Sequence, residues 1–437
     1  MESFTTEANV QEGMDSKMDM FSTLPLNTAI KNSYFEEYRP QSVPARLAPI
    51  EFNIGSGAGG HYIDLSKTRL NVKVKVTAPG GKAVAKDKFA ALICFPLHTI
   101  FRQMDLMIQG TLTSSATSTN HAYRAYLETL LESKQNKSSS YLQSGLFILD
   151  SAGYHDKELD KAKRSPNHGL VSRYFYTADG KIAEMEGVLI NDLSNVGKYL
   201  LNGVGLRLKL FPAPDSFVIL SADNIQYELH IVDCVLKVCM VEPNSSIIVG
   251  HSSLLKRSIP ATYPYMKTDI RTVTVPKGFT SWSCDDLFND SIPSMLCCAF
   301  VDSGAYNGDY SKNPFNLQHY KVSELAFWTN GTLVNGLAYK PNFEESHYTD
   351  CYLSLFQDDQ NTEENIISRK DFGEGYSLFV WRPSAGIVQD QSITPILKGH
   401  TRLSITWKEP LPEVVTIILM SKYPHCMQFD EARNLLI

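Results

Sequence analysis

The chain has 437 residues, with 41 Lys and Arg against 47 Asp and Glu, for a formal net charge of −6. That balance, with no long basic run, excludes a protein that grips nucleic acid through clustered cations, because such binding works by displacing counterions from phosphates. Apolar runs such as Met295–Val301 and Val414–Met420, the latter with one Thr, have seven residues each, far short of the roughly 20 that a membrane-spanning helix needs, so no transmembrane segment is expected.

The opening MESFTTEANVQEG has no charged start followed by an apolar stretch, so no secretory signal is expected. The eight cysteines (Cys94, Cys234, Cys239, Cys284, Cys297, Cys298, Cys351 and Cys426) form no C-x-x-C pair. This argues against zinc ribbons and thioredoxin-type chemistry and leaves buried free thiols in a reducing compartment. The sequons at Asn136, Asn244 and Asn330 are then expected to stay unused.

Taken in chain order, residues 1–48 read as an N-terminal arm and lead-in, the first 20 being polar and without period. Leu70-Asn71-Val72-Lys73-Val74-Lys75-Val76 alternates apolar and polar, which predicts a half-buried strand. Gln103–Ile108 and Thr111–Thr113 flank Gln109-Gly110, a hairpin pattern. Asn120 stands before a stripe of Tyr123, Tyr126, Leu127, Leu130 and Leu131 at helical spacing, which predicts a short helix with Asn120 as its cap. Ser172–Thr177 and Lys181–Val188 flank Ala178-Asp179-Gly180 and read as a second hairpin. Val204–Leu210 and Tyr227–Ile231 alternate again. Beyond Pro243-Asn244-Ser245-Ser246 come Arg271–Val275, Leu296–Val301, Leu325–Trp328 before Thr329-Asn330-Gly331, Tyr376–Trp381, Arg402–Trp407 and Val414–Met420. Aromatics make up 11% of the chain, which suits strands.

The second half replays the first. Asp64-Leu65 is echoed by Asp286-Leu287, Gly110-Thr111-Leu112 by Gly331-Thr332-Leu333, His121 with Tyr126-Leu127 by His347 with Tyr352-Leu353, and Arg207-Leu208 by Arg402-Leu403. The helical stripe recurs as Tyr348, Cys351, Tyr352, Leu355 and Phe356, 225 positions on. Ordered echoes of β-rich units predict a tandem duplication. The expected fold is all-β: two tandem jelly-roll β-sandwiches, a double jelly roll, with short helices in loops. The expected units are 49–243 and 263–437, with a linker at 244–262. The first carries a polar insertion near Glu132–His168.

Gly55 to Gly60 spells G-x-G-x-x-G, but the residues after it read as a strand and not as the helix a dinucleotide site needs. No histidine begins an H-x-D or H-x-E, so an iron facial triad is not expected. His121 and His347 fit packing or capping roles. The acidic run Asp358 to Glu364 lacks the spacing and glycine of a calcium loop. No G-x-S-x-G elbow is present. Asp285 and Asp286 are adjacent and point apart on a strand, whereas glycosidases need convergent carboxylates. No catalytic, cofactor or metal residue is assigned.

Several segments carry a resemblance. Phe21–Pro25 with Tyr38-Arg39-Pro40 and Pro49–Phe52, Tyr199–Val204, Val301–Gly308 with Lys312–Asn316, Phe372–Tyr376 and Arg433–Leu436 resemble motifs of the hexon-type major capsid proteins of Polinton/Maverick elements and adintoviruses, the double jelly-roll lineage. The resemblance runs from about Phe21 to the end. It implies a structural protein of the virion with no catalytic residues and no cofactor. Its chains would form a homotrimer whose six jelly rolls make a pseudo-hexagonal tile of an icosahedral DNA-virus shell. The partners implied are neighbouring capsomers and minor capsid or penton proteins. The missing basic arm argues against direct nucleic-acid binding. The segments Gln103–Glu132 and Leu325–Phe356 are expected to build the tower or the contacts within the trimer, with Leu127 and Leu353 shielded by assembly. Two other classes compete: a tandem carbohydrate-binding, lectin-like β-sandwich, which would want exposed Trp or Tyr platforms, and a jelly-roll glycoside hydrolase. A single-roll penton protein is disfavoured by the repeat.

Overall fold

The computed structural model describes residues 28–436, apart from 56–59, 86–87, 114–119, 134–139, 158, 160–163, 222–224, 289–290, 357–364, 384–394 and 396. Among the described residues sixteen strands build two sandwiches, and the short strand Leu435–Leu436 pairs with the end of the last of them. The first holds β1 (Ile30–Tyr38), β2 (Ile50–Ile54), β3 (Tyr62–Thr77), β4 (Phe101–Ile108), β5 (Thr111–Leu112), β6 (Ala183–Val188), β7 (Leu206–Pro212) and β8 (Glu228–Pro243). The second holds β9 (Ala261–Val275), β10 (Ser281–Asp285), β11 (Met295–Asp302), β12 (Val322–Thr329), β13 (Thr332–Leu333), β14 (Phe379–Trp381), β15 (Thr401–Trp407) and β16 (Val415–Phe429).

The sheet orders are β1-β8-β3-β6 and β2-β7-β4-β5 in the first sandwich, and β9-β16-β11-β14 and β10-β15-β12-β13 in the second, all antiparallel. Each strand of the first sandwich has its counterpart eight places on, so the topology itself is duplicated. Both are jelly rolls, and the all-β double jelly roll read from the sequence is the observed fold. Four helices matter below: α1 (His121–Glu132) and α2 (His168–Thr177) between β5 and β6, α3 (Ser245–Lys256) between the rolls, and α4 (Thr349–Leu353) between β13 and β14.

The echoes locate equivalent positions. Gln109-Gly110 and Asn330-Gly331 both have positive φ (49° and 78°; 50° and 78°), the left-handed pair that a tight hairpin demands. Arg207 faces Met107 across the β7/β4 ladder, and Arg402 faces Trp328 across β15/β12, at the same step before each turn. The Asp64 echo fails. Asp64 lies in β3, whereas Asp286 follows β10 in a left-handed turn, so a two-residue match joined unrelated positions.

One other expectation is corrected. Ser172–Thr177 belongs to α2 and forms no hairpin strand. Asn167 caps the helix by accepting the Leu170 amide at 3.3 Å, and Leu170, Arg173, Tyr174 and Thr177 are buried at helical spacing. Tertiary burial outweighs the strand preference of that aromatic run. In addition, β1 falls within the stretch expected to be arm and lead-in, yet it pairs along β8 as an edge strand. The expected linker 244–262 contains α3, whose Asn244 side chain accepts from Ser246 N. The Phe21–Pro25 segment lies outside the described residues.

Each core sits between its two sheets. In the second roll Phe327 is fully buried, 6.5 Å from Phe288 and 6.0 Å from Trp381, ring centre to ring centre. Phe327→Ala is expected to cost about 3–5 kcal/mol of stability, because the neighbouring rings cannot collapse into the space. Chemical denaturation monitored by tryptophan fluorescence checks this; a loss under about 1 kcal/mol would contradict the packing described.

Candidate functional site, the seam between the sandwiches

The two rolls differ on the outward face of one sheet. In β3 the inward residues are Leu70, Val72 and Val74, and the outward ones are Arg69, Asn71 and Lys73, paired with Glu186 and Glu184 of β6. In the second roll Phe300 and Leu419 point inward, with Phe300 6.0 Å from Trp407 of the opposite sheet. The outward residues there are Ile270, Cys297, Ala299, Ile418 and Met420, and all are buried. A sheet that is apolar on both faces needs a second cover.

That cover comes from the first roll. Helix α1 presents Asn120, Arg124, Glu128 and Glu132, four residues apart, toward the second roll. Tyr306 donates its hydroxyl to Asn120 Oδ1 at 2.9 Å, and its ring stacks on Tyr123 at 5.5 Å. Asn120 therefore links the rolls and does not cap α1, whose start has no side-chain cap. Thr268 of β9 donates its hydroxyl to Glu128 Oε1 at 2.6 Å and its amide to Asp192 Oδ1 at 3.0 Å. Arg124 holds Asp192 at 2.6 Å, and Lys422 of β16 pairs with Glu128 at 3.6 Å and with Glu132. Burial opposes ionisation of Glu128, yet Arg124 and Lys422 overcome it and keep its pKa below the usual value. For Asp192 burial wins and the pKa is raised.

A second brace is built around Asp150, whose side chain, like that of Arg173 of α2, is fully buried. Arg173 Nη2 meets Asp150 Oδ1 at 2.6 Å, and Arg173 Nε donates to Leu92 O at 2.8 Å. Asn167 Nδ2 donates to Asp150 Oδ1 at 2.8 Å. From the second roll, Asn313 Nδ2 donates to Asp150 Oδ2 at 3.0 Å and Tyr376 Oη to Asp150 O at 2.6 Å. Burial would raise the Asp150 pKa, but Arg173 and the Asn167 hydrogen bond bring it below the usual carboxylate value. Beside it Asp156 accepts from Asn313 N and Asn316 Nδ2, both at 2.6 Å, while Phe315 stacks on Tyr126 at 4.0 Å. Gly375 has φ of 104°, and a Cβ there would collide with the buried His155 ring, so the brace needs glycine at that point.

A third contact covers the edge strand β9. Tyr263 Oη donates to Tyr199 O at 3.1 Å and accepts from Leu201 N, and Lys198 Nζ donates to Thr262 O. Arg433, past β16, donates to Asn202 O at 2.9 Å, and Gln109 donates to Arg433 O at 3.1 Å.

Most of the segments that carried the resemblance therefore meet at this seam: Tyr199–Asn202, Tyr306, Asn313–Asn316, Gly375-Tyr376 and Arg433. The ion network was missed, because Arg124, Asp192, Thr268 and Lys422 come from four distant stretches. A signal for it existed. Met295–Val301 and Val414–Met420 are continuous apolar runs, whereas Leu70–Val76 alternates, and a continuous run marks a strand buried on both faces.

The other expected residues are dispersed. His121 is buried against His98, with ring centroids 5.6 Å apart, while His347 is exposed beside Glu345. Leu127 is buried within the chain itself, so it is no trimer surface; Leu353 is exposed. The glycine run, whose residues 56–59 lie outside the described set, joins β2 to β3 and opens no helix. The acidic run 358–364 also lies outside. All eight cysteines are unpaired. Among the described residues no group of three or more His, Cys, Asp or Glu could hold a metal, and no helix is long and apolar enough to cross a membrane.

Two jelly rolls of matching topology, locked by a polar and aromatic seam, define a double jelly-roll chain. No family model matches it. An uncharacterized protein of Caenorhabditis elegans is 23% identical over 435 residues, covering 94% of this chain and 98% of its own. The cryo-EM structure of the Sputnik virophage contains a chain with TM-score 0.64 and 14% identity, covering 98% of this chain and 92% of that one. A chain of the PBCV-1 virus capsid gives TM-score 0.56 and 10% identity over 95% and 99%. The mavirus major capsid protein gives TM-score 0.52 and 13% identity over 99% and 96%. What is shared at these identities is the fold, that of viral major capsid proteins.

Asp150→Ala is expected to lose about 3–5 kcal/mol of stability, since it strands the buried Arg173 guanidinium; thermal unfolding checks this, and an unchanged midpoint would contradict the brace. Acid should also weaken the fold. Burial lowers the His98 pKa to about 4 and takes His121 well below its ordinary value. Both titrate near 6.5 when unfolded. The His98 contribution is intact above about pH 6.5 and falls as the pH drops toward 4, by on the order of 1.4 kcal/mol per pH unit, and the His121 contribution falls in the same direction. The pH dependence of unfolding should therefore flatten over that window in His98→Gln, and an unchanged slope would contradict it.

Proposed function

We propose that this chain is a hexon-like major capsid protein that trimerises into pseudo-hexagonal tiles of an icosahedral DNA-virus or virus-like element shell, in the manner of the Polinton/Maverick and adintovirus lineage its motifs resemble. The observation that carries the reading is the seam. It holds two topologically equal rolls side by side as one building block, so three copies supply six similar units. The protein then acts in the virion by assembly and not by catalysis, with neighbouring capsomers and minor capsid or penton proteins as partners and DNA left to other components. The division into 49–243 and 263–437, with 244–262 joining them, belongs to the same proposal.

The tryptophans offer the lectin-like alternative no open platform: Trp381 and Trp407 are buried, Trp282 and Trp328 are half-buried, and Arg402 lies over the Trp328 ring at 5.3 Å. Light scattering on the purified chain tests the proposal. The expected mass is three times the 48.9 kDa of one chain; a monomer that persists at high concentration would contradict it.

A further inference from the structure

The seam within one chain indicates where a second copy would sit. On the first roll the α1 stripe is already engaged at the second roll: Glu128 and Glu132 meet Thr268 and Lys422 on the outward face of the β9-β16 sheet, Asn120 meets Tyr306 just past β11, and Arg124 holds Asp192, which itself accepts from Thr268. The helical stripes of the two rolls are offset by 225 positions. That shift carries Asn120, Arg124 and Glu128 onto Glu345, Thr349 and Leu353 at α4. All three are exposed, and Leu353 is 53% exposed although apolar.

The receiving face is duplicated too. Thr268 on β9 and Lys422 on β16 accept α1 in the second roll. In the first roll the matching strands are β1 and β8, whose outward residues include Phe35, Glu37 and Lys237. There β1 is exposed along nearly its whole length, whereas β9 is largely covered. Phe35 is 43% exposed, with the Arg69 guanidinium 4.8 Å from its ring centre. One roll therefore has a donor helix without a recipient, and the other has a recipient face without a donor.

We propose that the α4 surface around Leu353 of one copy docks on the outward β1–β8 face around Phe35 of a second copy, repeating between chains the contact that α1 makes with β9 and β16 within the chain. Such a head-to-tail contact joins two different patches, so it builds a ring if it closes. Leu353 and Phe35 supply the desolvated apolar centre, and Glu345 with Lys237 and Arg69 supplies a charged rim. The inference rests on the trimer reading and assigns its surface.

The test uses the full chain with Leu353→Asp, Phe35→Asp and, as a control on α3, the exposed Val249→Asp, each followed by light scattering and thermal unfolding. Expected are a trimer for the unaltered chain and for Val249→Asp, and at least a tenfold weaker association for the other two with unfolding temperatures unchanged. Mixing Phe35→Cys chains with Leu353→Cys chains should give disulfide-linked dimers far faster than either variant alone, which a merely destabilised chain would not do. If Leu353→Asp and Phe35→Asp stay trimeric and the mixed cross-link does not form, the surface assignment is overturned while the trimer reading stands. If the unaltered chain is monomeric, both fall.

Discussion

One constraint organises this molecule: the sheet β9-β16-β11-β14 is apolar on both faces. Its inner face packs against the second roll's own partner sheet. Its outer face, with Ile270, Cys297, Ala299, Ile418 and Met420, has no counterpart sheet and must be kept from water by something else. At about 25 cal/mol per Å² of apolar surface, leaving such a face bare would cost several kcal/mol for a few side chains. Helix α1, supplied by the first roll, provides the cover and joins the duplicated units into one body.

The contacts at the seam divide between energy and registration. Apolar and aromatic packing, such as Phe315 on Tyr126, supplies the favourable area. The ion pairs Arg124–Asp192 and Arg173–Asp150 contribute less than their geometry suggests, because both members lose their hydration. Breaking the Arg173–Asp150 pair is costly all the same, since the survivor is left as a buried charge without its counter-ion. That asymmetry penalises any slippage of α1 along β9 or of the Asn313–Asn316 loop past Asp150. A seam so constrained admits one arrangement of the two rolls.

Much of the fold is legible in the residues, for identifiable reasons. Alternation in Leu70–Val76 exposes β3, and Gln109-Gly110 and Asn330-Gly331 mark hairpins because few residues tolerate positive φ. Those turns, with Arg207 and Arg402, reveal the duplication. The failures are equally physical. Asp64 and Asp286 match by chance. Ser172–Thr177 looks like a strand from its aromatics, while the helix rests on the Asn167 cap and on burial of Leu170, Arg173, Tyr174 and Thr177 at helical spacing. The seam is a long-range object, so no window of sequence contains it. The resemblance reached it indirectly: Asn313–Asn316 and Tyr199–Asn202 stood out as motifs before their role as braces was visible.

The exposed stripe at α4 and the exposed strand β1 are the same device left unused, and the molecule is in that sense unfinished as a single chain. The measurement that addresses this most directly is cryo-EM class averaging of the purified particle. The account predicts six similar lobes around a threefold axis, with alternate contacts between lobes nearly superimposable. Two-lobed particles, or rings in which the contacts within and between chains are unrelated, would contradict it.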